Sequence, residues 1–162
     1  MTATLPFMSV VSVTPTVDTS IYASGDLIGT KLTFSNALSQ ATGSGVLLSA
    51  IIADAAKQTS DLELVIFGSN PSSTTFTDQA AFAIADADLS KVQAIILFSS
   101  SDRYSYSDNL VSFKGSIAIP VKAFSSTSGA PGRHLYGALV SRGTPTFAAA
   151  NDVTITVGIT QD

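Results

Sequence analysis

The sequence predicts an all-β protein, an antiparallel β-sandwich of jelly-roll type with one short helical connection. From residue 153 to 160, aliphatic side chains alternate with threonines and one glycine, the pattern of a strand with one buried face. In all, the sequence contains roughly eight or nine short predicted strands separated by Gly, Pro, Asn and Ser, as in a sandwich or jelly roll. Two of them, residues 45–54 and 62–68, are apolar on nearly both faces. We therefore expect these two strands to be covered on both sides, in the middle of the sandwich.

The remaining segments complete one domain of 162 residues with no linker. Residues 78–89 are rich in Ala and begin with Asp, which predicts one or two helical turns between strands. The Gly, Pro and Ser content of residues 125–133 predicts a long surface loop. Residues 1–7, with Pro6 and Phe7, show no strand pattern and are predicted to form a flexible arm that orders on binding. The other predicted strands are residues 9–14, 31–34, 94–99, 109–113, 116–121 and 135–141.

The composition indicates a surface with unusually few charges. Hydrophobic residues make up 45% of the chain and charged residues 12%, against about 25% in typical globular proteins. So few charges favour a surface partly covered by a partner or by copies of the same chain. The net charge of -4 argues against binding to nucleic acid. No apolar run is long enough for a membrane helix, and no basic residue precedes Lys31, so we expect neither a membrane partner nor a secretory signal.

The chain offers few residues for catalysis. It has no Cys, which excludes disulfides and thiol chemistry, and one His, His134, which we interpret as an ordinary polar residue beside a loop. Residues 25–31 lack the spacing of a phosphate-binding loop. Asp78, Asp86 and Asp88 could hold a divalent cation, but the turn glycine and closing Glu of an EF-hand are missing. The sequence predicts a protein that is not an enzyme and has no cofactor and no metal ion.

Interface residues are more plausible than catalytic ones. Tyr104 and Tyr106 alternate with small polar residues beside Arg103, and Tyr and Arg are common in protein interfaces. Two interpretations are open: these tyrosines form a contact patch for a protein or a sugar, or they pack on the sheet of their own domain. The full set of predicted interface residues is Phe7, Arg103, Tyr104, Tyr106, Arg133 and His134.

Three segments in this order and spacing resemble the decoration, or cement, proteins of tailed-bacteriophage capsids. They are residues 21–29 (Ile-Tyr-Ala-Ser-Gly-Asp-Leu-Ile-Gly), residues 62–71, and residues 78–89 leading into 92–98. The resemblance covers roughly residues 10–160. It implies a jelly-roll-like sandwich on the outside of an icosahedral shell, present as a small homo-oligomer and without catalytic residues.

The predicted function follows from this resemblance and from the low charge. We expect a non-enzymatic virion protein, made in the host cytoplasm, that binds the capsid exterior and stabilises it by bridging major capsid protein subunits. Its partners would be the major capsid protein and itself, as a homodimer or homotrimer. The alternative is a receptor- or carbohydrate-binding β-sandwich of a tail fibre or spike. The absence of Trp and the presence of only four Tyr make a sugar-binding face less favoured.

Overall fold

The computed structural model describes residues 7–124 and 132–161, which form two antiparallel sheets packed face to face. The all-β prediction is confirmed. Ten strands and two short 3₁₀ helices lie in this part of the chain. The strands are β1 (Phe7–Val13), β2 (Leu27–Phe34), β3 (Ser44–Asp54), β4 (Leu62–Phe67), β5 (Val92–Phe98), β6 (Arg103–Ser105), β7 (Leu110–Lys114), β8 (Ile119–Lys122), β9 (Leu135–Ser141) and β10 (Val153–Gln161).

The front sheet has the strand order β1-β10-β3-β7-β6, and β8 also pairs with β3. The strands β7 and β8 follow one another along the same edge of β3, separated by a turn in which Ser116 and Ala118 have positive φ. The back sheet has the order β2-β9-β4-β5.

The topology is that of a jelly roll. The antiparallel pairs β1·β10, β2·β9, β3·β7 and β4·β5 alternate between the two sheets, and β10·β3 and β9·β4 join them within each sheet. This wrapped arrangement of four strand pairs in two sheets defines the double-sheet jelly roll. The predicted fold class is thus confirmed to the level of strand order.

The core lies between the sheets. The aliphatic residues of β10 that alternate in the sequence, from Val153 to Ile159, are all buried and face the back sheet. They meet Phe34, Leu64 and Phe98 in one large hydrophobic cluster. The period-two pattern of the C-terminal segment therefore predicted both the strand and its buried face.

The prediction that two central strands are covered on both sides holds for one of them. Every residue of β4 except Glu63 is buried, because the chain itself covers the outer side of the back sheet. The strand β3 is central in its sheet, but the described residues cover it on its inner side only. Its outward residues Val46 and Ile51 are partly exposed, and Ala53 is exposed.

The cover of the back sheet is residues 68–91, which we call the cover segment. The predicted short helical connection is present as the 3₁₀ helix Asp86–Lys91, whereas the alanine-rich residues 78–85 before it are not helical. Backbone hydrogen bonds between Leu27 and residues 79 and 80 hold the alanine-rich part against the edge of β2. This pairing allows Phe82 and Ile84 to pack on the back sheet, so tertiary contacts override the helix propensity of Ala.

Other predicted boundaries differ by a few residues, and the three-residue strand β6 is an element that the sequence did not predict. Phe7 is the first residue of β1, whereas the rest of the predicted arm, residues 1–6, lies outside the described residues. The predicted loop at 125–133 also lies largely outside them. Within the described ranges, no helix has the length and hydropathy needed to cross a membrane.

Candidate functional site

The outer side of the front sheet carries four rows of side chains, which we call the open face. Directly opposite residues of antiparallel strands point to the same side of a sheet, so the register defines each row. The rows are Met8, Thr160, Val46 and Pro120; Val10, Gly158 and Ser49; Ser12, Thr156, Ile51 and Phe113; and Thr154, Ala53, Val111 and Tyr104.

The open face is rich in exposed apolar side chains and poor in charge. Its most exposed hydrophobic side chains are Val10 (73%), Met8 (71%), Tyr104 (56%) and Phe113 (43%). The four rows contain no charged residue, and Lys122, which lies opposite Ser44 in the next row, is an exposed charge at the margin of the same side. Isolated exposed apolar residues are normal in proteins, but apolar side chains that recur in every row of one sheet face, here on both sides of the Thr and Gly residues of β10, are typical of a contact site.

The hydroxyl groups of the open face are bonded to one another. The hydroxyls of Ser12 and Thr156 are 2.7 Å apart, and those of Thr14 and Thr154 are 2.8 Å apart. A hydroxyl that already has a partner loses less free energy when water is removed than an unpaired one does. Covering this part of the sheet therefore carries a small desolvation cost.

The size of the open face is that of a protein contact. With strands about 4.8 Å apart and a rise of about 3.4 Å per residue, five strands and seven residues span an area of about 600 Å². Specific interfaces bury about 800 Å² on each partner. Complete coverage of the open face would therefore account for most of the area that one partner buries in such an interface.

The back sheet shows what the chain does with a similar surface. Its outward residues, among them Val65 and Phe67, form a second hydrophobic cluster with Phe76, Phe82 and Ile84 of the cover segment. The rings of Phe67 and Phe76 meet edge to face at 6.4 Å. Among the residues that the structure describes, the chain thus covers one outer face and leaves the other uncovered.

Two carboxylates, of buried Asp88 and partly buried Asp78, fix the cover segment. Asp88 accepts hydrogen bonds from the backbone N–H groups of Ser73 (2.9 Å) and Thr74 (2.7 Å) and pairs with Lys91 at 2.6 Å. Burial alone would raise the pKa of Asp88, but the hydrogen bonds from Lys91, Thr74 and Ser73 outweigh it and hold the pKa below its usual value. Asp78 accepts bonds from the Tyr22 hydroxyl at 2.8 Å and from the backbone of β2 at 2.6 Å.

The three acids considered for a cation site, Asp78, Asp86 and Asp88, have different surroundings in the fold. Asp78 and Asp88 are bonded to different parts of the fold, and Asp86 is exposed. Within residues 7–124 and 132–161, no group of three acidic or His side chains is arranged to hold a metal ion. Asp54, the other buried acid, accepts bonds from the backbone of Ala56 and Gln58, and burial raises its pKa. The buried acids have structural partners.

A groove of about 540 Å³ lies at one margin of the open face, where β3, β8 and β10 meet. Val46, Pro120 and Thr160 line it, and Lys122 and Gln93 lie at its side. None of its lining residues is aromatic or acidic. Sugar sites usually use an aromatic ring for stacking, so this groove fits an apolar protein side chain better than a sugar.

The predicted interface residues occupy both ends of the sandwich. Tyr104 and Tyr106 are exposed, so they do not pack on their own domain, and Tyr104 lies in the last row of the open face. Arg103 points to the opposite side and is bonded to Asp61. An interface role for the two tyrosines stays a prediction.

Arg133 and His134 lie at the other end, beside the last residues of β2. The guanidinium group of Arg133 bonds the carbonyl of Ser39 at 3.2 Å, and His134 Nδ1 accepts the backbone N–H of Asn36 at 3.0 Å. Phe7 pairs with Gln161 at the same end of the front sheet. The strands, nine residues long in β10, separate this group from the tyrosines by roughly 30 Å. The predicted residues therefore do not form one site.

The sequence analysis missed most of the open face. Val10, Ile51 and Phe113 lie in predicted strands and Met8 lies directly before one, but the sequence did not identify any of them as surface residues. One indication was present: the apolar pattern of residues 45–54 on both faces predicted a cover for β3 that the described chain does not supply.

Comparisons with known proteins place the chain in no family. No protein-family model matches it, and no curated protein matches it. Among solved structures, it is similar to a chain of Desmodium yellow mottle tymovirus, with a TM-score of 0.30 and 10% identity over 99% of this chain and 90% of that chain. A TM-score of 0.30 is too low to establish a common fold, so the assignment as a jelly roll rests on the strand order of this chain.

Proposed function

We propose that the protein is a non-enzymatic virion structural protein that binds the outside of a phage capsid through its open face and bridges major capsid protein subunits. The observation that carries the proposal is the row of exposed apolar side chains, with little charge, across the outer side of the front sheet, in a chain that covers its other sheet. Jelly rolls are common in viral shells and in lectins, so the fold is compatible with the proposal but does not select it.

The chemistry of the open face favours a protein as its partner. Binding to nucleic acid or to anionic lipid needs several Lys or Arg side chains, whereas the four rows contain none and only Lys122 lies at their margin. The alternative, a receptor- or carbohydrate-binding module, has the exposed rings of Tyr104 and Tyr106 in its favour. These two rings lie at one corner of the sandwich, whereas the apolar surface extends over all rows. The larger feature supports a protein contact.

A decoration protein does not need a strong individual contact. A capsid presents many copies of the same site, and a molecule that bridges two subunits gains from the high effective concentration of the second contact. An uncharged face of about 600 Å² is consistent with such repeated contacts. Because the bound protein stabilises only the assembled shell, binding raises the melting temperature of that shell.

The direct test uses empty shells assembled from the major capsid protein of the virus that encodes this chain. We expect the purified protein to co-sediment with these shells and to raise their melting temperature. If neither effect is observed, the proposal is wrong. Binding to a glycan array without binding to shells would support the alternative instead.

The open face is tested with a matched pair of substitutions. Thr156→Lys places a charge in the centre of the open face, and Thr30→Lys places the same charge on an exposed position of β2 in the back sheet. A buried unpaired charge costs several kcal/mol, so we expect Thr156→Lys to weaken shell binding at least about tenfold. Thr30→Lys should bind like the native chain. Equal binding by both variants, with unchanged melting temperatures of the free proteins, would assign the contact to another surface.

A further inference from the structure

The strand β5 forms an open edge of the back sheet. It pairs with β4 on one side, and no described strand lies on the other. In the described residues, the backbone of 94–98 makes no hydrogen bond outside the β4 ladder. Every second N–H and C=O group of this segment therefore points away from the sheet.

This edge lacks the features that prevent association. Residues 94–98 read Ala-Ile-Ile-Leu-Phe, without Lys, Pro or any charge. Ile95 and Leu97 point outward and are 58% and 48% exposed. Edge strands of monomeric proteins are usually short, charged, interrupted by Pro or covered. In the same sheet, the β2 edge is covered by backbone bonds to residues 79 and 80.

We propose that two copies of the chain pair through β5, antiparallel and about a two-fold axis at Ile96, so that the two back sheets form one continuous eight-stranded sheet. An antiparallel edge is complementary to itself, because each unpaired N–H of one copy meets a C=O of the other. The segment carries no charge, so identical copies meet without repulsion.

The side chains select this register. Directly opposite residues of an antiparallel pair point to the same side of the sheet. Registers that keep the outer sides of both back sheets on one side therefore pair odd-numbered residues with odd-numbered ones and differ from one another by two residues. With Ile96 opposite Ile96 of the second copy, Ile95 meets Leu97 twice, and all five residues of 94–98 are paired. A shift in one direction places Leu97 opposite Gln93, and a shift in the other places Ile95 opposite Ser99. Only the proposed register covers both exposed aliphatic side chains with aliphatic partners.

The dimer leaves the open face free. The β5 edge belongs to the back sheet, whereas the open face is the outer side of the front sheet. Self-association through β5 and binding to a shell thus use different surfaces. The proposal does not depend on the proposed function, and each can fail while the other holds.

The register is tested with single cysteines, because the chain has none of its own. Opposite Cα atoms in an antiparallel pair are about 4.5–5.5 Å apart, within the range of a disulfide. Ile96→Cys should therefore form a disulfide-linked dimer on mild oxidation. Ile95→Cys and Leu97→Cys should each cross-link poorly alone but readily when mixed, as judged by non-reducing gel electrophoresis. Both positions of the mixed pair are exposed, so this arm does not depend on a substitution in the core.

The association itself is measured by sedimentation velocity over a range of concentrations. We expect the native chain to form dimers and Ile95→Lys to raise the dimer dissociation constant at least about tenfold, because two apolar cross-strand pairs are lost. Val10→Lys, on the edge strand of the front sheet, is the matched control and should leave the constant unchanged. A native chain that stays monomeric, or cross-linking that is equal at residues 95, 96 and 97, would overturn the proposal.

Discussion

The carboxylate of Asp88 should be the main attachment of the cover segment, and Asp88→Asn tests this. One oxygen accepts three hydrogen bonds, from the backbone and hydroxyl of Thr74 (2.7 and 2.8 Å) and from the backbone of Ser73 (2.9 Å). The other oxygen pairs with Lys91 at 2.6 Å. An amide oxygen can still accept the first three hydrogen bonds, but the NH₂ group then faces the ammonium group of Lys91. The three hydrogen bonds that remain are also weaker, because their acceptor is no longer charged. We expect a loss of about 3 kcal/mol in the free energy of unfolding.

The assay is urea unfolding followed by far-ultraviolet circular dichroism. Asp86→Asn is the matched control, because this neighbouring carboxylate is exposed, and it should change stability by less than about 0.5 kcal/mol. In a thermal scan, 3 kcal/mol corresponds to a decrease of roughly 6–12 °C in the melting temperature. If Asp88→Asn matches Asp86→Asn, the carboxylate does not hold the cover segment and our reasoning about it is wrong.

The same carboxylate predicts a pH dependence. Its pKa is lower in the folded chain than the ordinary value of about 4 in the unfolded chain, so ionised Asp88 stabilises the fold above that value. This stabilisation is lost as the pH falls through the folded pKa. The difference in stability between the native chain and Asp88→Asn should therefore be constant near neutral pH and shrink below about pH 4. A difference that does not change on acidification would contradict the assignment.

Three further substitutions test the packing around the two sheets, each by urea unfolding. Phe82→Ala removes a partly buried ring from the cover segment and should cost about 2 kcal/mol and increase binding of a hydrophobic dye; unchanged dye binding would mean that the cover stays closed. Gly29→Ala should cost about 2 kcal/mol or more, because φ is +73° and the added Cβ would lie 2.7 Å from Pro15 Cβ; a native-like stability would show that β2 can shift freely. Tyr22→Phe removes the hydroxyl that donates to Asp78 and should lower the free energy of unfolding by about 1–2 kcal/mol; an unchanged stability would show that this hydrogen bond is not needed.

Local pattern was sufficient to predict the class of fold. The alternation in β10 and the short apolar runs of β3, β4 and β9 depend on neighbouring residues only, because a strand with one buried face must repeat every two residues. The missed strand β6 has only three residues and is defined by its pairing with β7. The alanine-rich part of the cover segment was predicted as helix, since Ala favours helix wherever no tertiary contact competes.

The site could not be predicted in the same way. Sequence reasoning selected residues by type, and it chose Arg103, Arg133 and His134, which the fold uses in internal hydrogen bonds. The residues of the open face, such as Val10 and Ile51, look like core residues in the sequence. Their exposure depends on which side of which sheet the chain itself covers, and that is decided by contacts between distant segments.

By itself, the sequence determined a sandwich of short strands, the buried side of β10, the low surface charge and the absence of thiol chemistry, because each of these follows from composition or from a period of two residues. Only the tertiary structure decided that the cover segment packs on the back sheet and that, within residues 7–124 and 132–161, the outer side of the front sheet has no such cover. The strand pattern cannot specify this, since an apolar side chain has the same identity whether its cover comes from its own chain or from a partner. The two surfaces that we propose for association, the open face and the β5 edge, are known from the fold alone.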